Sequence, residues 1–238
     1  MAHAYRFYSE ALPECPERVA LSTDEAHHAL KVVRVREGDR VALFDGTGRE
    51  ATGQVVLSGR RDVAVDLDGF RMEAVWSPYL TLAVAWLHKE KAVEYLIRHG
   101  TEVGVSHFVF FRGEHSERAP KESAKWKRWA IETCKQCRRM DLPEFTVVKD
   151  IEAACAVSVG QVVLADMENA PASLSTVTSG PMTIFIGPEG DFSERERQCL
   201  IDTGGVSLSL GSTTFRSEVA GVLLATLCRA QQGYLGKL

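Results

Sequence analysis

The loop Gly187-Pro188-Glu189-Gly190 follows a short apolar run, Ile184-Phe185-Ile186, and precedes Ser193 and Glu196, which stand at the spacing of a helix capping box. That order of residue types reads as a buried strand, a glycine turn and a helix start. The design repeats downstream. Val206 to Leu210 is a second apolar run, Gly211 to Phe215 a second loop, and Glu218 falls where a helix N-terminus favours negative charge. Two adjacent strand ends that each deliver a glycine loop make a crevice in which backbone N–H and C=O groups can line a small ligand. Spacing alone fits two uses equally, a ligand pocket and a pair of ordinary strand-to-helix connections.

Residues 73–238 carry the alternation of strand and helix that such a crevice needs. Leu80 to Leu87 is a buried strand, and Lys89 to Val103 is a helix with Ala92, Val93, Leu96 and Ile97 at helical spacing. Gly104 ends that helix, and His107 to Phe111 is the next strand. This βαβ pattern predicts a parallel sheet covered by helices. Further strands are expected at Phe145 to Val148, Gln161 to Ala165 and Thr183 to Ile186, with a helix from Ile151 to Val157. The final helix, VAGVLLATLCRAQQ, is apolar around more than half its circumference, as suits a helix that is central or packed on another chain.

Residues 1–72 read instead as a small β-rich domain. Strands are expected at Val19 to Leu21, Arg40 to Phe44, Gln54 to Leu57 and Asp62 to Leu67, with a short helix capped by Ser22 and Glu25 that runs through Val33. Gly46-x-Gly48 lacks a third glycine at dinucleotide spacing and is a hairpin turn. Alternation stops between Phe70 and Tyr79, where Ser77-Pro78 marks a break.

The formal charge of the chain is -4, yet Arg112 to Arg139 holds nine basic and four acidic residues. A local excess of positive charge suits a polyanionic partner, and it equally describes the solvated face of an amphipathic helix. In that helix Trp126, Trp129, Thr133 and Cys137 share the side expected to bury, which leaves Lys125, Lys127, Arg128, Lys135, Arg138 and Arg139 mostly elsewhere. Cys134 and Cys137 sit mid-helix with no second pair and no histidines at ligand spacing, so no metal is expected. No apolar run reaches membrane-spanning length, and MAHAYRFYSE has no signal-like apolar core. The expectation is a cytoplasmic protein with no membrane partner and with reduced cysteines.

GPEGDFSERE, followed by LG-x4-R-x-E, resembles the RsmE family of SPOUT methyltransferases. TEVGV (Thr101 to Val105) and KQCRR (Lys135 to Arg139) extend the resemblance. HHALKVVRVREGDRVALFDG (His27 to Gly46) and Tyr5-Arg6-Phe7-Tyr8 resemble the N-terminal PUA-like RNA-binding domain of the same family. The resemblance implies an α/β fold, a SPOUT-type parallel sheet with a C-terminal trefoil knot, preceded by a small β-barrel PUA-like domain. It also implies S-adenosylmethionine as cofactor and a homodimer that methylates N3 of one uridine near the 3′ end of 16S rRNA, free or in the small ribosomal subunit.

Three segments would then hold the cofactor: Leu164, Ala165 and Glu168; Ile186, Gly187, Pro188, Glu189 and Gly190; Leu208, Leu210, Gly211 and Phe215. The implied RNA contacts are Arg6, His28, Lys31, Arg34, Arg112, Arg138 and Arg139. A uracil N3–H must lose its proton before the nitrogen can accept a methyl group, and Arg216 is the residue placed to stabilise the developing anion at an exocyclic oxygen. Glu218 orients that arginine or caps its helix. Asp191 stands in place of the family's last loop glycine, an exchange tolerated because Asp accepts left-handed backbone better than most residues. Thr213, Thr214, Val219 and His99 also depart from the family pattern. These departures leave two alternatives open, methylation of another RNA and an RNA-binding protein of the same fold without turnover.

Overall fold

The computed structural model describes residues 5–59, 61–73, 79–166 and 174–234. The chain divides into two compact units, Met1–Val75 with Ile131–Leu142, and Trp76–Ala130 with Pro143–Leu238.

The first unit is a five-stranded sheet in the order β1 (Tyr5–Tyr8), β3 (Arg40–Phe44), β4 (Arg49–Leu57), β5 (Val63–Met72), β2 (Arg18–Ala20). β1 runs parallel to β3 and the other pairs are antiparallel. Inward side chains Phe7, Val41, Leu43, Val55, Val63 and Val65 make the core with Ala26 and Ala29, as the two-residue period of a half-buried strand requires. Helix α1 (Thr23–His27) starts where its cap predicts, with the Ser22 hydroxyl accepting from the Glu25 N–H at 3.3 Å. It continues as a π-helical stretch, His28–Val33, closed by Arg34 in the left-handed region at φ 62°. The strand β1 was not anticipated from the sequence, and β5 runs to Met72, past Leu67, where the strand was expected to end. Ser77-Pro78 lies outside the described residues.

The second unit is a six-stranded parallel sheet in the order β11 (Val206–Leu208), β9 (Gln161–Ala165), β10 (Met182–Ile186), β6 (Leu80–Ala85), β7 (His107–Phe111), β8 (Glu144–Val147). β6, β7 and β10 are buried at every residue, which is the pattern of strands covered on both faces. Helices α2 (Glu90–Val103) and α6 (Ser217–Gln231) pack on one face. Gly221 permits that close approach, since an added Cβ would lie 3.1 Å from Leu96 Cδ1. Helices α4 (Ile151–Ala156) and α5 (Glu194–Asp202) cover the other face through Ala83, Ala85, Val109, Phe111, Leu164 and Phe185.

Helix α3 (Ala124–Cys137) buries Trp126, Trp129 and Thr133 as expected. Cys137 is exposed, however, and Cys134 is the buried thiol, because the helix ends at Cys137 and nothing continues the apolar stripe. Both cysteines therefore stand in the last turn rather than mid-helix. Hydrogen bonding to Cys137 and burial push the Cys134 thiol far above its ordinary pKa, which makes it inert. Among the described residues no helix is long and apolar enough to cross a membrane, and no three His, Cys, Asp or Glu side chains group as metal ligands.

Candidate active site

A cavity of about 140 Å³ opens at the C-terminal ends of β9, β10 and β11. The order β11-β9-β10 corrects the expectation that two glycine-loop strands are neighbours: β9 lies between them, so three strand ends meet at the cavity. Ala165 and Asp166 line it after β9, Ile186 to Glu189 and Asp191 after β10, and Leu208, Leu210, Thr213, Thr214 and Phe215 after β11. Ser217 and Ala220 of α6 complete it. Gly187 is required by proximity, since a Cβ there would lie 3.1 Å from both Asp191 Oδ1 and Phe192 N.

The 187–191 loop is held by bonds from four directions. The Asp191 N–H donates to Pro188 O at 3.0 Å, and Asp191 adopts φ 61°, the left-handed backbone that its side chain suits. The His88 N–H donates to Glu189 Oε1 at 3.0 Å. His115 Nδ1 donates to the carbonyls of Gly190 at 3.0 Å and Asp191 at 2.9 Å. Those two carbonyls, Asp191 first, raise the His115 pKa above the ordinary histidine value.

The fourth tether comes from α5. Its capping box forms as predicted between Ser193 and Glu196, and buried Glu196 also accepts from the Glu114 N–H at 3.0 Å. One residue further, Arg197 pairs with buried Asp166 and lies 3.5 Å from Asp191 Oδ2. A local signal, S-x-x-E, thus fixes the helix whose arginine ties the loop after β9 to the loop after β10.

Of the residues expected at a cofactor, Ala165, Ile186, Gly187, Pro188, Glu189, Leu208, Leu210 and Phe215 line the cavity. Leu164 is buried beneath it in β9, and Gly190 backs onto His115, whose Cβ an added methyl would meet at 3.1 Å. Gly211 takes φ 122°, open only to glycine. Glu168 lies outside the described residues. Sequence reasoning missed His88, His115 and Arg197, whose partners are distant in the chain.

Arg216 stands at the N-cap of α6, exposed, between the cavity-lining Phe215 and Ser217. Among the described residues its side chain makes no hydrogen bond or ion pair. Glu218 is half-buried in the first turn, where its charge suits the helix.

The expected RNA contacts divide. Lys31, Arg34, Arg112 and Arg138 are exposed, and His28 is half-buried, edge-on to Phe7 at 6.2 Å. Arg6 and Arg139 turn inward and are corrected here. Arg6 pairs with Glu50 at 2.8 Å, donates to Cys134 O at 2.8 Å and lies over the Phe44 ring. Arg139 pairs with Asp141 at 2.7 Å, its side chain 1% exposed. Releasing either for a phosphate would strand a buried carboxylate, so both hold the first unit together.

Residues 76–229 match the family described as RNA methyltransferase domain. The chain belongs to this RNA methyltransferase family. Residues 21–68 match the RNA methyltransferase PUA domain. The ribosomal RNA small subunit methyltransferase E of Mycobacterium tuberculosis is 27% identical over 239 residues, covering 92% of this chain and 89% of that protein. That of Bacillus subtilis is 25% identical over 221 residues, covering 84% and 85%. A probable rRNA-methyltransferase structure from Porphyromonas gingivalis superposes with a TM-score of 0.84 at 29% identity, covering 96% of this chain and 98% of the other. The Neisseria gonorrhoeae methyltransferase E bound to S-adenosyl methionine gives a TM-score of 0.84 at 22% identity, covering 96% and 98%. The RNA methyltransferase domain therefore contains all three strand ends of the cavity, and its last helix delivers Arg216 to the rim.

Proposed function

We propose that this chain is an S-adenosylmethionine-dependent RNA methyltransferase that methylates N3 of uridine 1498 in 16S rRNA, on free rRNA or on the small ribosomal subunit. The observation that carries the reading is the cavity itself, a glycine-floored crevice where three parallel strand ends converge inside an RNA methyltransferase domain. The residues present fit the cofactor. Ile186, Leu208, Leu210 and Phe215 offer apolar surface to an adenine ring, while Gly187 lets backbone approach closely. The Thr213 and Thr214 hydroxyls and the backbone after β10 supply polar partners. S-adenosylmethionine, when bound, supplies an electrophilic methyl group.

The chain's own residues do the rest. Arg216 donates to an exocyclic oxygen of the uracil and stabilises the negative charge that builds as N3 gives up its proton to solvent. Glu218 keeps the helix start in place. Residues 1–72 and 73–238 divide the work, the PUA-like part gripping RNA through Lys31 and Arg34, with Arg138 from the 131–142 segment that belongs to the same compact unit, and the C-terminal segment completing the trefoil knot around the cofactor. Calorimetry tests the first step: S-adenosylmethionine should bind, and folded protein that binds none would remove the enzyme reading.

The His115 clamp gives a second test. Replacing His115 by Ala removes two bonds to the loop and should weaken cofactor binding about fivefold, as expected for one net hydrogen bond. Because the His115 pKa is raised, its contribution to folding stability is full below the ordinary histidine pKa and is lost as pH rises through the raised value. The difference in thermal stability between wild type and His115→Ala, measured by melting across pH, should therefore shrink on the alkaline side.

The homodimer belongs to the same reading. Leu223 and Leu227 of α6 are 37% and 39% exposed, and Tyr95 of α2 is 38% exposed. Val219 and Val222 flank them, half-buried. An apolar stripe of this kind on a cytoplasmic enzyme is covered by a second copy. Sedimentation should show a dimer, and a monomer at micromolar concentration would contradict it.

A further inference from the structure

The first unit has a groove of its own, about 440 Å³, lined among others by Tyr5, Arg6, His28, Lys135, Gln136 and Arg138. Its basic residues suggest a phosphate clamp, but their partners argue otherwise. Arg6 is paired with Glu50 at 2.8 Å, and Lys135 with Glu25 at 2.8 Å and Glu132 at 3.1 Å. Two of the groove's cations are thus already neutralised by carboxylates.

What the groove offers is chemistry for a neutral, flat, polar ligand. The Tyr5 ring is half exposed at the edge strand β1 and makes no hydrogen bond among the described residues. His28 adds a second ring, fixed edge-on by Phe7. Gln136 is exposed and its side-chain amide has no hydrogen-bond partner among the described residues, so that amide can both donate and accept. Arg6, held by Glu50 and by Cys134 O with its guanidinium over the Phe44 ring, is a fixed wall of the groove.

We propose that this groove takes one unstacked base of the RNA substrate, a nucleotide other than the one methylated, with Tyr5 and His28 as stacking surface and Gln136 reading its polar edge. The proposal rests on the methyltransferase reading. It assigns the first unit a base-specific contact in addition to the phosphate contacts of Lys31, Arg34 and Arg138. Single-stranded RNA is recognised in this way, by splaying a base onto aromatic side chains.

The test is equilibrium binding of a short single-stranded RNA from the 3′ end of 16S rRNA, alongside copies lacking one base at a time. Tyr5→Ala should weaken binding about tenfold, the scale of one lost stacking contact, with an unchanged salt slope because no phosphate contact is removed. Tyr5→Phe should bind as wild type. One abasic position should cost wild type about tenfold and cost Tyr5→Ala nothing further, as expected when two changes remove one contact. Wild-type affinity in Tyr5→Ala, or a reduced salt slope, would overturn the base site. If wild type still methylates rRNA in that case, the methyltransferase reading stands without it, and wild type that neither binds nor methylates RNA would overturn both.

Discussion

Arg216→Ala should lower the rate of methyl transfer by about a hundredfold or more, the usual cost of a lost transition-state donor, while cofactor affinity stays near wild type. Cofactor binding is spared because Arg216 does not line the cavity, although Phe215 and Ser217 on either side of it do. RNA affinity should fall little, since one donor to a developing charge acts chiefly in the transition state. The position itself argues for chemistry. Arg216 is the N-cap of α6 and forms no side-chain cap, and a positive charge there opposes the helix dipole. An arginine is therefore a poor choice for helix stability. Arg216→Ser, which can cap, should leave the protein as stable or raise stability by about 1 kcal/mol, yet be as slow as Arg216→Ala. Single-turnover methylation beside thermal melting separates the two effects. Wild-type rates in both variants would make Arg216 a helix-end charge with no part in the reaction.

The largest expected effect on stability lies at the other end of the same helix. Arg229 is fully buried in α6. Its Nε donates to Gly104 O at 3.1 Å, Nη2 donates to the same carbonyl and to Ser106 Oγ at 3.3 Å, and Nη1 donates to Gln232 Oε1 at 2.7 Å. Gly104 is the C-cap of α2, so this one side chain satisfies the end of α2 and pins α6 beside it. Arg229→Met keeps the volume but leaves the buried Gly104 carbonyl without the donors that Arg229 supplies. The loss should be roughly 3 kcal/mol or more, because hydrogen bonds to charged groups are worth about 1.5–3 kcal/mol and stranded polar atoms add to the cost. In a chain of this size that is a drop in Tm of about 6–12 °C. Cofactor affinity should fall with it, since α6 carries Ser217 and Ala220 at the cavity. An unchanged Tm would mean that Arg229 is replaceable by packing alone.

These two arginines mark what the sequence made legible. Local rules placed the elements well: Ser22 and Glu25, Ser193 and Glu196, and Gly104 at the end of α2 all act as read. Strand-end loops suggested a crevice, and the family resemblance named Ile186 to Glu189 with Leu208, Leu210 and Phe215, all of which line the cavity. Strand order did not follow, because parallel pairing of β9 between β10 and β11 joins residues far apart in the chain and leaves no local mark. Charge was the other blind spot. Arg6 and Arg139 were expected as RNA contacts from the family resemblance, but Glu50 and Asp141 supply buried partners. For Arg139 a hint was present in Asp141 two residues on. For Arg6, paired with Glu50 on another strand, none was. The clamp from His115 to Gly190 and Asp191 spans 75 and 76 residues and was equally invisible.

The most direct measurement is mass mapping of methylated nucleosides after the purified protein acts on small ribosomal subunits from a strain lacking this enzyme, with labelled S-adenosylmethionine. The predicted result is one labelled N3-methyluridine, at position 1498 of 16S rRNA, lost in Arg216→Ala. Protein that binds the cofactor but labels no rRNA position, or labels another nucleoside, would contradict it.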